Sequence, residues 1–210
     1  ILAVPRIFEK IYTGIQAQME ASPMKKKLFQ WALSVGYKVS ESKVQKKTLP
    51  ISVLLEYQLA KKLVFDRISE KMGGRLRFAV SGGAPLSAEI SKFFHAAGLL
   101  ILEGYGLTET TAAILVNTPF EYKFGTVGKP IGDVKVKIAP DGEVCILSKK
   151  VMRSYFKNEE ATNSVFDEEH YFKTGDIGEL DSDGYLKITD RKKDLIKTAG
   201  GKYVAPQKLE

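Results

Sequence analysis

At 210 residues, 44% apolar and 27% charged, the chain has the composition of an ordered globular protein, long enough for one large domain or two small ones. That composition excludes disorder along the whole length, the single cysteine excludes an internal disulfide, and no run of about eighteen apolar residues is present to make a spanning helix. The net charge of +7 is concentrated: residues 1–80 hold 15 Lys+Arg against 6 Asp+Glu, whereas residues 81–210 hold 17 against 19. Runs such as Lys25-Lys26-Lys27 and Lys46-Lys47 suit nucleic acid, an anionic membrane surface or a solvated helical face, the last being the plainest reading. No aromatic residues alternate with these lysines, so a base-stacking groove is not indicated. With no signal peptide in view, the expected location is cytoplasmic. Because it opens on Ile1, in a stretch of mid-helix character, the chain reads as an internal piece of a longer one.

Residues 1–71 are expected to be helical. Val4, Ile7, Phe8, Ile11 and Ile15 recur at helical spacing, as do Leu28, Trp31, Ala32, Val35 and Val39, then Leu54, Leu55, Leu59, Leu63 and Ile68. Pro23 and Pro50 punctuate these segments. After Gly73-Gly74, Leu76 to Val80 reads as a short strand running into the turn Ser81-Gly82-Gly83-Ala84-Pro85. A helix follows, with Glu89 in its first turn, and Leu99 to Leu102 forms a second strand. Strand, helix, strand implies parallel pairing. From about Phe120 the apolar period becomes two, with turns at Pro140-Asp141-Gly142 and Asp181-Ser182-Asp183-Gly184, which predicts a small antiparallel or barrel-like β region. Cys145 lies in such a strand and reads as a small core residue, and His95 and His170 as structural or surface groups.

In open α/β sheets, ligands sit at the carboxyl ends of parallel strands. Both ends are glycine-rich here, at Ser81-Gly82-Gly83-Ala84 and at Glu103-Gly104-Tyr105-Gly106, and Tyr105 is able to stack on a flat ring. Thr108 and Glu109 place a hydroxyl beside a carboxylate, which suits a phosphate oxygen and Mg²⁺. Asp176, after Thr174-Gly175, is either an acceptor for vicinal ribose hydroxyls or a turn-capping group. Asp190-Arg191-Lys192-Lys193-Asp194 has the look of a solvated loop.

Together these segments resemble the adenylate-forming superfamily of acyl- and aryl-CoA ligases, adenylation domains and luciferases. Ser81 to Leu86 is similar to its adenine-pocket loop, Gly104 to Thr110 to its most diagnostic motif, and Tyr171 to Asp176 to its ribose motif. Asp190 to Asp194, with Lys197 to Lys202, is similar to its hinge and following loop. Val4 to Tyr12, Phe93 to Gly98 and Ile101 to Tyr105 resemble the long-chain fatty acid branch. Leu147-Ser148-Lys149-Lys150 departs from the family's glycine-proline loop.

The resemblance implies an α/β fold: the C-terminal part of a large AMP-binding domain over 1–119, a β-barrel-like subdomain over 120–189, and a hinge with the start of a C-terminal domain over 190–210. It implies attack of a carboxylate, that of a long-chain fatty acid, on the α-phosphorus of ATP, then thioester formation with coenzyme A and release of AMP. Other acids (aryl, medium-chain or amino acids) are the alternative within the superfamily, and a basic nucleic-acid-binding module the alternative outside it. The implied adenosine contacts are Gly82, Gly83, Ala84, Glu103, Gly104, Tyr105, Gly106, Asp176, Ile188 and Arg191, with Thr108 on the α-phosphate, Glu109 on Mg²⁺, Asp190 as hinge and Lys197 serving one pose. The family's phosphate loop is expected upstream of Ile1 and its catalytic lysine beyond Glu210, so little ligase activity is expected of the chain alone. Peripheral membrane contact is expected through basic residues 1–80.

Overall fold

The computed structural model describes residues 1–194, Ile196–Lys197 and Tyr203–Val204. The chain forms two compact units, Ile1–Glu103 with Thr118–Gly125, and Gly104–Asn117 with Thr126–Glu210. The division therefore falls between residues 103 and 104, earlier than the sequence boundary at 119, and residues 118–125 return to the first unit.

In the first unit, helices α1 (Pro5–Glu20) and α2 (Pro23–Val44) each start on a proline, whose fixed φ and missing N–H suit the first helical position. Helix α3 (Ile51–Ala60) continues through a π-helical turn, Lys61–Phe65, into α4 (Asp66–Lys71). Apart from the joints at 21–22 and 45–50, next to Pro23 and Pro50, the helical expectation fails at the very start. Leu2–Ala3 is a short strand, β1, paired in parallel with β2 (Phe78–Ser81). Pro5 explains this, because it disfavours helical backbone in the residue before it, and Val4 is extended at φ −83°, ψ 154°. Helix α5 (Ala88–Ala96) is capped by the Ser87 hydroxyl, which accepts the Glu89 N–H. Strand β3 (Leu100–Gly106) pairs with β2 in parallel through Glu103, as strand, helix, strand predicts.

The core of this unit is aromatic. Phe93 packs edge-on against Phe94 at 5.1 Å and against Tyr12 at 4.8 Å, with Phe8 and Phe29 alongside. Each buried phenylalanine contributes on the order of 2 kcal/mol through burial alone. His95 is buried between Ser40 Oγ at 2.6 Å and the Tyr122 hydroxyl at 3.0 Å, which ties the 118–125 segment into this unit.

In the second unit, β4 (Ala113–Val116) pairs with Gly104–Gly106 of β3 and with β5 (Lys129–Pro130), both antiparallel. Strands β6 (Lys135–Ile138), β7 (Glu143–Leu147), β8 (Phe172–Leu180) and β9 (Leu186–Arg191) form an antiparallel sheet in that order. The two predicted turns join β6 to β7 and β8 to β9. Ile114, Leu115, Val134, Val144, Ile146 and Leu186 fill its core, and Cys145 is buried on β7. A short helix, α6 (Glu159–Ser164), is capped by Asn158. Strand β10 (Ile196–Lys197) pairs with β11 (Tyr203–Val204).

Candidate functional site

The second unit brings Tyr105, Asp176 and Arg191 together. Tyr105 stands opposite Leu115 on the β3–β4 ladder, just before an irregularity at Gly106. A Cβ at Gly106 would lie 2.1 Å from the Ala112 carbonyl oxygen, so close backbone approach alone demands glycine there. The Tyr105 hydroxyl donates to Asp176 Oδ2 at 2.6 Å. Asp176 faces Arg191 across the β8–β9 ladder, and the Arg191 Nε lies 3.4 Å from Asp176 Oδ1.

Asp176 is 5% exposed, and it owes its place to a bulge. On β7 only Val144 lies between ladder partners Glu143 and Cys145, whereas on β8 Thr174, Gly175 and Asp176 lie between Lys173 and Ile177. The extra residues need partners for their N–H groups. The Thr174 hydroxyl donates to the Val144 carbonyl at 2.8 Å and accepts the Asp176 N–H at 3.1 Å. The Gly175 N–H, on backbone at φ +74°, goes to Glu143 Oε1 at 2.9 Å.

Burial pushes the Asp176 carboxyl above its ordinary pKa, outweighing the Tyr105 hydrogen bond and the Arg191 charge, which favour the anion. Burial, then the neighbouring Asp176 charge, raises the Tyr105 phenol, which stays a proton donor at neutral pH. The result is a buried carboxylate with a phenol on one oxygen and an exposed guanidinium beside the other. Its remaining lone pairs can accept from a pair of hydroxyls.

Thr108 and Glu109 sit in a 3₁₀ turn, Thr108–Thr110, locked by the Leu107 N–H donating to Thr110 Oγ1 at 2.8 Å. Thr108 is exposed. Glu109 Oε1 accepts from the Tyr155 hydroxyl at 3.0 Å, and its backbone carbonyl takes the Met152 N–H at 2.6 Å. The Thr111 hydroxyl donates to the Lys150 carbonyl at 2.7 Å. The loop that departs from the family pattern thus supports the turn carrying Thr108 and Glu109. Ile188 packs with Tyr105 against the β core. The Lys197 side chain lies outside the described residues.

Gly82, Gly83 and Ala84 follow β2 in the first unit, with Gly83 at φ +84°. Glu103 belongs there too. Its carboxylate is 7% exposed and accepts the backbone N–H groups of Leu86, at 3.2 Å, and Gly125. Burial raises its pKa to about 7 against those two bonds.

The sequence did not single out Glu143, Thr174, Tyr155 or Lys192. Glu143 is 4% exposed, and Lys192 Nζ bridges Glu143 Oε2 at 2.5 Å and Asp141 Oδ2 at 2.7 Å. One signal was present for Glu143: a charged residue opening an otherwise apolar strand. Asp190 is buried, with Oδ1 accepting the Arg191 N–H at 2.7 Å and Oδ2 without a partner among the described residues.

Within the second unit an aromatic hydroxyl and a guanidinium thus converge on one buried carboxylate. The chain belongs to the family of AMP-binding enzymes, whose profile matches residues 1–156. It is 40% identical over 210 residues to the long-chain-fatty-acid–CoA ligase FadD15 of Mycobacterium bovis, covering 100% of this chain and 34% of that protein. It is 37% identical over 225 residues to long chain acyl-CoA synthetase 3 of Arabidopsis thaliana, covering 99% of this chain and 32% of that protein. Among solved structures it resembles o-succinylbenzoate coenzyme A synthetase of Bacillus subtilis in complex with ATP and magnesium ion. The TM-score there is 0.58 at 27% identity, covering 78% of this chain and 38% of that one. The chain spans about a third of the length of the curated relatives it matches. Family membership removes the support for the nucleic-acid-binding alternative.

Proposed function

We propose that this chain grips the adenosine end of ATP in an enzyme that activates a long-chain fatty acid as its acyl-adenylate, releasing pyrophosphate. The acyl group then passes to the thiol of coenzyme A with release of AMP. The observation that carries this reading is the Tyr105–Asp176–Arg191 cluster, supported by the names of the relatives. Asp176 accepts from the ribose hydroxyls with Arg191 beside it, and the Tyr105 ring offers a face to the base while its hydroxyl fixes Asp176. Ile188 backs the tyrosine. Thr108 donates to the α-phosphate.

The residues present fit Mg²⁺, because that ion commonly takes one or two carboxylates and completes its shell with phosphate oxygens and water. Glu109 is the carboxylate that would hold it, with Tyr155 orienting Oε1. When bound, the ion supplies charge neutralisation between the phosphates and the incoming carboxylate. Chemistry at phosphorus asks the protein mainly for positioning and electrostatics, which matches a site of fixed donors and acceptors. A cytoplasmic setting, with residues 1–80 touching an anionic membrane face, belongs to the same proposal.

The test is acid-dependent ATP–pyrophosphate exchange in the whole protein. Long-chain fatty acids are expected to support exchange, and Asp176→Asn to lower it at least about tenfold through the KM for ATP. Exchange driven instead by benzoate or an amino acid, or insensitive to Asp176, would overturn the proposal.

A further inference from the structure

We propose that Glu143, held by Lys192, is a positioning residue that sets the Asp176 carboxylate and so determines selectivity for an intact ribose. This rests on the reading that Asp176 takes the ribose hydroxyls. A closed circuit carries the argument. Asp176 pairs with Arg191 across the β8–β9 ladder. Lys192, the next residue, reaches back to Glu143 Oε2 at 2.5 Å and to Asp141 Oδ2 at 2.7 Å. Glu143 Oε1 takes the Gly175 N–H at 2.9 Å, and Gly175 is bonded covalently to Asp176. Asp141 closes the turn by accepting the Glu143 N–H at 3.2 Å.

A carboxylate as buried as Glu143 is kept only where its oxygens have strong partners, and here one oxygen has an ammonium and the other a backbone N–H. Removing it strands the Gly175 N–H inside the bulge, and of the two side chains that bond the bulged backbone only Thr174 then remains. Removing Lys192 leaves Glu143 without its cation and frees the end of β9 that presents Arg191. Both Glu143 oxygens are engaged by Lys192 and the Gly175 N–H, and its charge acts on the Asp176 carboxyl, so its effect reaches the ligand through Asp176.

The test compares ATP with 2′,3′-dideoxy-ATP as substrates of the whole protein. The native protein is expected to prefer ATP. Glu143→Ala is expected to raise the KM for ATP about tenfold and leave dideoxy-ATP kinetics unchanged, because only the hydroxyl contacts are lost. Lys192→Met is expected to move the preference the same way, and Lys192→Arg to restore it. Equal loss on both nucleotides, or an unaltered preference, would overturn the inference. Should Glu143→Ala fail to fold, Lys192→Met, on the exposed side of the pair, decides by the same criterion. Asp176→Asn separates the two readings. If it leaves the ribose preference intact, the site reading itself fails; if it abolishes the preference while Glu143 and Lys192 variants do not, only this inference fails.

Discussion

Asp176 shows how a single buried carboxylate can be costly in the protein alone and, in the role we propose for it, useful with ligand. Its pKa is raised, so the anion carries a burial penalty that grows as pH rises through its titration. Tyr105 and Arg191 offset only part of that penalty, and groups held this way cluster at functional sites. His95 works with the opposite sign. Burial, then the Lys43 charge, lowers its pKa to about 4, below the ordinary 6.5, so neutral His95 is the folded form. A depressed histidine contributes stability that is present above pH 6.5 and lost as pH falls towards 4. Up to about 3 kcal/mol is at stake across that window. Denaturant unfolding of native protein and His95→Gln between pH 7 and 4 checks this. The native protein is expected to lose more stability on acidification than the variant, and parallel profiles would contradict the assignment.

At the scale of elements, much of the fold was legible. The 3.6-residue spacing of apolar side chains and two prolines marked the helices, and the switch to a period of two marked the antiparallel sheet. What stayed hidden depends on register. A strand of only Leu2–Ala3 has too few residues to show a period, and the bulge at Thr174–Asp176 exists only once β7 and β8 are aligned. Glu143 and Lys192 were therefore unreadable as partners, because 49 residues separate them and only strand pairing brings them within reach. Tyr105, Asp176 and Arg191, and their convergence, were legible through motif resemblance, but the hydrogen bond and ion pair that join them were not.

Helix α3 has a further consequence. Ile51, Leu55 and Leu59 recur every four residues, are 76%, 66% and 51% exposed, and are followed by exposed Lys61 and Lys62. An apolar stripe with cations at its end suits an anionic bilayer surface. Co-sedimentation of the protein with phosphatidylserine-containing vesicles is expected, weakened several-fold by high salt and by Leu55→Gln with Leu59→Gln. Binding absent, or indifferent to salt, would remove the membrane proposal.

The whole molecule carries its excess positive charge in residues 1–80, whereas Tyr105, Thr108, Glu109, Asp176 and Arg191, which we propose for the nucleotide site, lie in the second unit. Charge and chemistry are thus divided between units, and the basic bias says little about the reaction. On the function we propose, Tyr105 and Asp176, 71 residues apart, form one adenosine-binding surface. A titration of AMP into the 210-residue chain, followed by NMR, tests it most directly. Weak, millimolar-range binding is expected, shifting the signals of both residues together and lost in Asp176→Ala. No binding at millimolar AMP, or binding that leaves both residues and the variant unaffected, would contradict it.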